Sequence, residues 1–378
     1  MKVLVTGAKG FIGRNLCVAL QRLEGTYIRE YDLDSAPGML EEGLASADVV
    51  FHLAGVNRPQ ITDDFIRGNV DLTKLICEEL RRLGRKPLLA FSSSSQATLD
   101  NPYGQSKRQA EEAILSFGAE TASRIAIFRL PGVFGKWCRP NYNSVIATFC
   151  HNRAKGLPIN ISDENRKLDL VYIDDVIKAF LLCITNPPTG SEWRTVSPQF
   201  DITLGELARR IESFRESRQT HVLDDFGDPF VKRLYATYMS YIESSDFAYE
   251  LSARLDERGK LVEFLKHRNF GQIFVSRTRA GITRGHHYHD TKVEKFLILE
   301  GEAIVRFQKI DEDPVIEYKV RGNDFRVIDI PPGYTHSIEN IGSGELITLF
   351  WADEIFNPAA PDTFALKINN RLEVINNK

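Results

Sequence analysis

Residues 1–13 read MKVLVTGAKGFIG, and this stretch decides the fold. An apolar run at residues 2–6 leads into three glycines spaced three apart, Gly7, Gly10 and Gly13. A glycine-rich turn between a strand and a helix lets the backbone approach a pyrophosphate, and it directs free N–H groups and the positive end of the helix dipole at that group. The stretch therefore predicts a first β-strand, a tight turn and a helix N-terminus that binds a dinucleotide.

The segments that follow alternate between short apolar runs and stretches of helical period. Strands are predicted at residues 2–6, 48–54, 87–92 and 124–130, and helices at 10–22, 69–83 and 102–117. An alternation of this kind, which continues to about residue 185, is typical of a parallel sheet covered by helices. We therefore expect an α/β doubly wound, Rossmann-type N-terminal domain.

Composition excludes several classes of protein. The chain has 378 residues, of which 43% are hydrophobic and 26% charged, with a net charge of −3. At about 150 residues per domain this length allows two to three domains, and the even charge balance argues against a nucleic-acid binder. No apolar run approaches the ~20 residues of a membrane helix, and the first residues enter the glycine turn too soon for a secretory signal.

Cysteine usage bears on the cellular location. The chain has five cysteines, Cys17, Cys77, Cys138, Cys150 and Cys183. No two of them form a C-x-x-C pair. An odd number without metal or disulfide spacing predicts a reducing, cytoplasmic location.

Charged residues near the glycine turn bear on the choice of cofactor. Asp32 lies at the end of a further expected strand, the second in the chain, between the helix at 10–22 and the strand at 48–54. A carboxylate there can hold the ribose 2′-hydroxyl of NADH. Lys9, Arg14 and Arg29 lie nearby in the fold and could instead bind the 2′-phosphate of NADPH. We expect NADPH, with NADH as the alternative.

A tyrosine and a lysine four residues apart form the second constellation. Tyr103 and Lys107 share one face of a predicted helix, so the ammonium can lower the pKa of the phenol and touch the cofactor ribose. The serine run 92–95 ends the strand just upstream. Tyr103 is therefore a candidate proton donor to a carbonyl that receives hydride, with a serine polarising the same oxygen.

These motifs together resemble the extended short-chain dehydrogenase/reductase family, which includes nucleotide-sugar epimerases, dehydratases and reductases. The matching pieces are the three glycines, residues 52–55 (HLAG), the serine run, Tyr103 with Lys107, residues 129–135 (RLPGVFG) and residues 171–175 (VYIDD). The resemblance implies that Ser94 is the catalytic hydroxyl, with Ser93 and Ser95 as alternatives. The chain departs from the family between residues 32 and 48, a short stretch where larger members have another strand and helix.

The predicted loop at residues 135–144 is rich in polar, cationic and aromatic side chains. In the resembled family this region forms the nucleotide-sugar pocket. The resemblance therefore implies that Lys136, Arg139 and Asn143 bind the sugar diphosphate and that Trp137 stacks on the substrate.

After residue 244 the alternation stops and short strands separated by turns follow, which predicts a β-sandwich or barrel. We therefore expect one domain at residues 1–244 and another at 245–378. The second contains His287, His289, Glu294 and His336, a set of three imidazoles and one carboxylate. Residues two apart on a strand face the same side, so His287 and His289 can bind one divalent metal while Glu294 and His336 close the site from neighbouring strands. These ligand types admit Zn, Mn, Ni or Fe.

This spacing resembles the two metal-binding motifs of the cupin family, which implies a jelly-roll barrel. The first motif agrees at every marker position. The second lacks its glycine, because Gly322 lies too far upstream of Pro331. His286 is an extra neighbour with no place in the motif, and we expect it at the surface.

A reductase followed by a metal cupin resembles the bifunctional capsular polysaccharide synthesis enzymes, which make UDP-2-acetamido-2,6-dideoxy-L-talose, a precursor of UDP-N-acetyl-L-fucosamine. The resemblance implies a homodimer, a UDP-linked 4-keto sugar as substrate, C3 epimerisation in the cupin with a divalent metal, most simply Zn, and C4 reduction in the reductase domain.

The sequence leaves the C3 base open. Its candidates are a histidine of the cluster, Glu294 or Lys295, with Tyr288 or Tyr334 as the acid that returns the proton. Two other functions also remain, a reductase or epimerase with a structural cupin, and a non-enzymatic nucleotide-sugar sensor. The combination of Ser94, Tyr103 and Lys107 argues against the sensor, since binding alone does not need a phenol beside a lysine.

Overall fold

The computed structural model describes residues 1–251, 253–256, 259–262, 271–354, 357–368 and 374–376, and of residues 253–256, 259–262, 272 and 374–376 it describes only the backbone. The helices in this part of the chain are α1 (Phe11–Gln21), α2 (Met39–Ser46), α3 (Asp63–Phe65), α4 (Leu72–Arg82), α5 (Pro102–Thr121), α6 (Val145–Ala154), α7 (Ile173–Thr185), α8 (Leu204–Thr220) and α9 (Pro229–Met239). Among the described residues, none of these helices combines the length and apolar character needed to cross a membrane.

The strands of the N-terminal half are β1 (Lys2–Thr6), β2 (Tyr27–Tyr31), β3 (Val49–His52), β4 (Leu88–Ser94), β5 (Ile125–Leu130), β6 (Gly132–Phe134), β7 (Lys167–Tyr172), β8 (Ser191–Arg194) and β9 (Gln199–Thr203). The later strands are β10 (Ala248–Glu250), β11 (Ala253–Asp256), β12 (Gly259–Val262), β13 (Gln272–Thr278), β14 (Thr283–Tyr288), β15 (Glu294–Glu300), β16 (Glu302–Lys309), β17 (Val315–Arg321), β18 (Arg326–Ile330), β19 (Tyr334–Asn340), β20 (Leu346–Ala352), β21 (Phe364–Ala365) and β22 (Val374–Asn376).

The chain forms two compact units. Unit 1 comprises residues 1–145 and 167–202, and unit 2 comprises residues 146–166 and 203–378. Unit 2 therefore contains α8 and α9 together with the later strands, and the aromatic ring of Phe226, between those helices, packs against Trp351 of β20. The boundary expected between residues 244 and 245 follows the change in sequence pattern and stays a prediction.

Unit 1 is built on a six-stranded sheet with the order β2-β1-β3-β4-β5-β8. Every pair of neighbours in it is parallel. The central strands are apolar on both faces because helices cover both sides, and Val3, Leu4 and Val5 of β1 are buried. The predicted Rossmann-like parallel sheet is confirmed, with β6, β7 and β9 forming a smaller sheet beside it.

Two details of unit 1 differ from the sequence prediction. The stretch between residues 32 and 48, expected to lack the family's extra strand and helix, contains the short helix α2. The helix expected from residue 69 begins in a π-helical turn, Ile66–Asp71, and becomes α-helical at α4. Such turns are rare and frequently lie at functional sites.

Unit 2 contains two large sheets, with the orders β10-β18-β15-β20-β13 and β21-β14-β19-β16-β17-β22. Their pairs are antiparallel except for β17 with β22. Rings from the two sheets meet in the core, where Phe296 of β15 contacts His336 of β19 with centroids 5.8 Å apart. The prediction of a mainly antiparallel β domain is confirmed, and the jelly-roll barrel stays a prediction.

The turn that lacks the expected glycine joins β17 to β18. It ends at Phe325, whose φ of 50° lies in the left-handed region that favours glycine. Phe325 therefore adopts a left-handed conformation at a position where glycine would be favoured.

Candidate reductase site and metal centre

The glycine turn of unit 1 is close-packed. Gly7 has a φ of 69°, and its N–H donates to the carbonyl of Tyr31 at 2.8 Å. A Cβ on Gly13 would lie 2.1 Å from the carbonyl oxygen of Gly7. The turn thus requires glycine at both positions, and α1 starts directly after Gly10 with its first N–H groups at the carboxyl end of β1.

The carboxylate of Asp32 lies at the same turn. It directly follows β2 and accepts a hydrogen bond from the backbone N–H of Lys9 at 2.8 Å. The ammonium of Lys9 pairs with Asp34 in an exposed contact, and Arg29 pairs with Glu42 at 2.7 Å. Both cations therefore have acidic partners within reach, and the ion pairs are exposed enough to rearrange around a ligand.

The loop after β6 contains the predicted substrate residues. Lys136 is only 2% exposed, and its ammonium lies 2.7 Å from a carboxylate oxygen of Asp174. Trp137 has a φ of 70°, and its ring faces the guanidinium of Arg14 at 5.3 Å and the ammonium of Lys136 at 5.5 Å. The structure thus joins Arg14, Lys136 and Trp137 in one cluster.

The other two predicted substrate residues of that loop, Arg139 and Asn143, are exposed. Arg139 stacks over the ring of Tyr142 at 5.1 Å, and Asn143 lies at the surface. The loop therefore presents the guanidinium of Arg139 and the amide of Asn143 at the surface, whereas Lys136 is held inward by its carboxylate partner.

Burial raises the pKa of the Tyr103 phenol and the neighbouring Ser94 hydroxyl acts against that effect, so the two side chains lie next to each other. Ser94 ends β4, where its hydroxyl also accepts the N–H of Gln96 at 3.2 Å. Tyr103 lies in the first turn of α5, which begins at Pro102 and is capped by Asn101, whose side chain accepts the N–H of Gly104 at 2.8 Å. The end of β4 and the start of α5 therefore bring the predicted hydroxyl and phenol together.

Lys107 lies one turn further along α5 and is 4% exposed. Its ammonium donates to the carbonyl of Ser92 at 2.7 Å and lies over the ring of Phe91. Burial lowers the pKa of Lys107 to about 8, against an opposing effect from Glu111. Burial also raises the pKa of Tyr103, so the expected lowering by Lys107 is not seen: the ammonium is directed at a backbone carbonyl instead.

The three serines that the sequence left open differ in their surroundings. The hydroxyl of Ser93 is buried and donates to Glu111 at 2.5 Å. Ser95 is exposed at the start of a 3₁₀ turn. Of the three, Ser94 is the one whose side chain the structure places on Tyr103.

Sequence reasoning missed Asn69, which lies in the π-helical turn. Its side chain bonds both backbone groups of Val56, at 2.8 and 2.9 Å, and donates to the hydroxyl of Ser106 at 2.9 Å. Ser106 directly precedes Lys107, so Asn69 fixes the loop after β3 against α5. A polar residue inside a helical pattern was the only signal in the sequence, and it does not reveal such a contact.

The predicted metal ligands of unit 2 lie together. One ligand atom from each of His287, His289, Glu294 and His336 lies within 4.8 Å of the others. His287 and His336 are cross-strand partners on β14 and β19. Glu294 comes from β15 in the other sheet, rather than from a strand next to the histidines as expected, so the cluster lies where the two sheets face each other.

The chemistry of this cluster fits a divalent metal. The Nε2 atoms of His289 and His336 are buried and have no hydrogen-bond partner in the part of the chain that the structure describes, and they lie 3.4 and 3.7 Å from Glu294. Burial raises the pKa of Glu294, but the two imidazoles outweigh that effect and hold it well below its usual value. Burial and the neighbouring histidines lower the pKa of His287 to about 3, so its imidazole is neutral. A carboxylate and neutral imidazoles are the forms that bind Zn²⁺ and related ions.

Lys295 and Tyr288 face away from this cluster. Lys295 follows Glu294 on β15 and therefore points to the opposite side of the sheet, where its ammonium lies 2.5 Å from the buried Asp329. Tyr288 lies between two clustered histidines and packs on Phe364 instead. These two candidates for proton transfer at the cluster are therefore wrong.

Tyr334 remains a candidate for proton transfer. It lies two residues before His336 on β19 and so shares its face of the strand. Burial raises the pKa of Tyr334 to about 12, which keeps the phenol protonated at neutral pH.

Comparison with known proteins agrees with this geometry. Residues 3–197 match the NAD dependent epimerase/dehydratase family, and residues 254–364 match the polysaccharide biosynthesis C-terminal domain. The chain is 42% identical over 368 residues to the UDP-2-acetamido-2,6-beta-L-arabino-hexul-4-ose reductase of Pseudomonas aeruginosa, an alignment that covers 97% of this chain and 99% of that protein.

Solved structures are similar as well. The capsular polysaccharide assembling protein CapF of Staphylococcus aureus has a TM-score of 0.66 and 41% identity, with 97% of this chain and 100% of that chain covered. The UDP-glucuronic acid 4-epimerase of Bacillus cereus, in complex with NAD, has a TM-score of 0.50 at 20% identity, with 58% of this chain and 84% of that chain covered. The second likeness concerns the fold alone.

Proposed function

The chain belongs to the NAD dependent epimerase/dehydratase family, and on that premise we propose that it is a bifunctional nucleotide-sugar enzyme. In this proposal unit 2 epimerises C3 of a UDP-linked 4-keto-2-acetamido-2,6-dideoxy sugar. Unit 1 then reduces C4 with NADPH to give UDP-2-acetamido-2,6-dideoxy-L-talose. The observation that carries the reductase is the placement of the Ser94 hydroxyl next to the Tyr103 phenol, with Lys107 buried one turn further along the same helix.

The reduction needs a hydride and a proton at a carbonyl. The glycine turn would hold the pyrophosphate of a nicotinamide cofactor, which would supply the hydride. The phenol of Tyr103 is protonated at neutral pH because burial raises its pKa, so it can give its proton to the oxygen that becomes the C4 hydroxyl. The hydroxyl of Ser94 lies beside that phenol and can polarise the same oxygen. The ammonium of Lys107, fixed by the carbonyl of Ser92, supplies positive charge next to the developing oxyanion.

The choice of NADPH is supported by two cations near the turn. Lys9 belongs to the turn itself, and Arg29 lies on β2, which ends at Asp32. Their acidic partners are exposed, so either cation can turn to a 2′-phosphate at little cost. Asp32 already accepts the Lys9 N–H, which favours the 2′-hydroxyl of NADH less strongly than a free carboxylate would.

For the UDP-sugar we propose the loop after β6. Arg139 and Asn143 are exposed there and can reach a diphosphate, and Trp137 offers a ring for stacking. Lys136 is buried below the loop surface, and it contributes the positive charge of an ammonium that faces both Asp174 and the ring of Trp137. The name of the Pseudomonas aeruginosa relative, a UDP-hexulose reductase, supports this substrate class.

For the epimerisation we propose the cluster of His287, His289, Glu294 and His336. These four residues would hold a divalent ion, most simply Zn, which would supply positive charge to polarise a ketone oxygen. The hydrogen at C3 is acidic only while C4 is a ketone, because the ketone delocalises the carbanion as an enolate. A histidine of the cluster or Glu294 is the candidate base that takes the C3 proton, and Tyr334 can give a proton to the other face of that carbon, since its phenol is protonated. Epimerisation therefore has to precede reduction.

The direct test supplies purified protein with NADPH and the 4-keto UDP-amino sugar. Loss of NADPH absorbance, together with a product whose proton NMR spectrum shows a changed C3 and a new C4 hydrogen, is the expected result. Reduction without a change at C3 would support the reading in which the metal centre is structural. Tight binding without oxidation would support a sensor. The homodimer also stays part of this proposal and is tested by sedimentation.

A further inference from the structure

Helix α5 carries a third polar residue in line with the two that the proposed reduction uses. Tyr103, Lys107 and Glu111 are four residues apart, so they share one face of the helix. Glu111 is 2% exposed. A carboxylate buried this deeply is tolerated only where hydrogen bonds or positive charges compensate it.

The partners of Glu111 come from two strands. The hydroxyl of Ser93 on β4 donates to one carboxylate oxygen at 2.5 Å. Arg129 on β5 donates to both oxygens, from Nε at 2.9 Å and from Nη2 at 2.6 Å. Ser93 and Arg129 are also paired across the two strands. One carboxylate of α5 thus holds the ends of β4 and β5 together.

The charge of Glu111 also acts on Lys107. Burial lowers the pKa of Lys107, and Glu111 opposes that effect. His52 and Tyr103 also lie near this ammonium, but neither carries a negative charge that could replace that of Glu111. Burial and Lys107 itself lower the pKa of His52 on β3 to about 3, so it is neutral, and Tyr103 is protonated. Arg129, the remaining charged group of the cluster, is positive.

From these contacts we infer that Glu111 is a positioning residue of the reductase centre, which ties the strand carrying Ser94 to the helix carrying Tyr103 and Lys107 and balances the charge of Lys107. The inference rests on the proposed C4 reduction and deepens it. Glu111 acts through Ser93, Arg129 and Lys107 rather than on the substrate.

The test compares Glu111→Gln with Glu112→Gln in the full-length protein. Both remove one negative charge from α5, but Glu112 is exposed. For Glu111→Gln we expect kcat of NADPH-dependent reduction to fall about tenfold with KM for the sugar changed less than about twofold. Because the Glu111 charge favours the protonated Lys107, its loss should also move the alkaline limb of the kcat profile about one pH unit lower. Glu112→Gln should follow the wild type, and coincident profiles for the two variants would overturn the inference.

A second variant, Ser93→Ala, removes the bond to β4 and leaves the Arg129 pair intact. We expect kcat to fall about threefold without a shift in the pH profile. If Glu111→Gln does not fold, as judged by circular dichroism, an unchanged kcat in Ser93→Ala is by itself enough to overturn the inference. Tyr103→Phe separates the two levels: if it keeps wild-type turnover, the proposed reduction fails. If it is inactive while Glu111→Gln and Ser93→Ala match the wild type, only the positioning role fails.

Discussion

The backbone carbonyl of Asp362 lies 2.6 Å from Nδ1 of His289. The carboxylate of the same residue accepts three backbone N–H groups, from Asp290, Thr291 and Lys292, at 2.7 to 2.8 Å. One residue near the C-terminus therefore orients a ligand imidazole and fixes the loop that leads from His289 to Glu294. Such outer contacts of metal ligands set the tautomer and direction of the ring.

Asp362→Ala keeps the carbonyl but removes the carboxylate that holds this loop. We expect the affinity for Zn²⁺ to fall about tenfold to a hundredfold, as is typical when an outer partner of a metal ligand is lost. Competition with a chromophoric chelator measures this. Asp313→Ala, an exposed aspartate of the same unit, is the matched control and should bind as the wild type does. Equal affinity in Asp362→Ala would show that the loop is held by other contacts.

His287→Ala should reduce bound metal to well below one ion per chain, because it removes one of four ligands. Elemental analysis of the purified protein gives the count. The control is His286→Asn, since His286 has a φ of 59° and asparagine tolerates that backbone better than most residues. Metal content that is the same in all three proteins would show that the cluster is not a metal centre.

Tyr103→Phe should lower the rate of NADPH oxidation by about two to four orders of magnitude, because the carbonyl loses its proton donor. Tyr27→Phe changes an exposed tyrosine of the same unit in the same way and should leave the rate unaltered. Thermal melting of both variants checks the fold. Near-normal turnover in Tyr103→Phe would refute its role as the acid.

Epimerisation should run without any nicotinamide, because it needs only the C4 ketone and the metal centre. In heavy water, both the wild type and Tyr103→Phe should exchange the C3 hydrogen of the 4-keto sugar for deuterium, as seen by proton NMR. His287→Ala should not exchange it. Exchange that requires NADPH, or that persists in His287→Ala, would show that an intact metal cluster is not what carries the epimerisation.

Lys9→Ala should raise KM for NADPH about tenfold and leave that for NADH nearly unchanged, because one charged contact to the 2′-phosphate is lost. Lys86, an exposed lysine away from the glycine turn, provides the control Lys86→Ala. Initial rates with both cofactors measure the effect. A higher kcat/KM for NADH than for NADPH in the wild type would contradict the choice of cofactor.

Side-chain surroundings limited what the sequence could predict. Tyr103 and Lys107 are identified by their spacing, but the depression of the Lys107 pKa depends on burial by distant strands. The sequence predicts that Lys136 is a cation of a polar loop, and only the fold shows that it is buried against Asp174. Lys295 is next to Glu294 in sequence, yet the alternation of a strand places the two on opposite faces.

The local sequence pattern determined the helices and strands of this protein. The glycine spacing, the alternation of strands and helices, and the two-residue spacing of His287 and His289 are properties of neighbouring residues, and backbone sterics and side-chain period translate them directly into structure. Tertiary structure alone decided which serine meets Tyr103, which sheet supplies Glu294, and that Glu111, Asn69 and Asp362 support the two sites. Those contacts join residues far apart in the chain, and they depend on how sheets and helices pack rather than on any local preference.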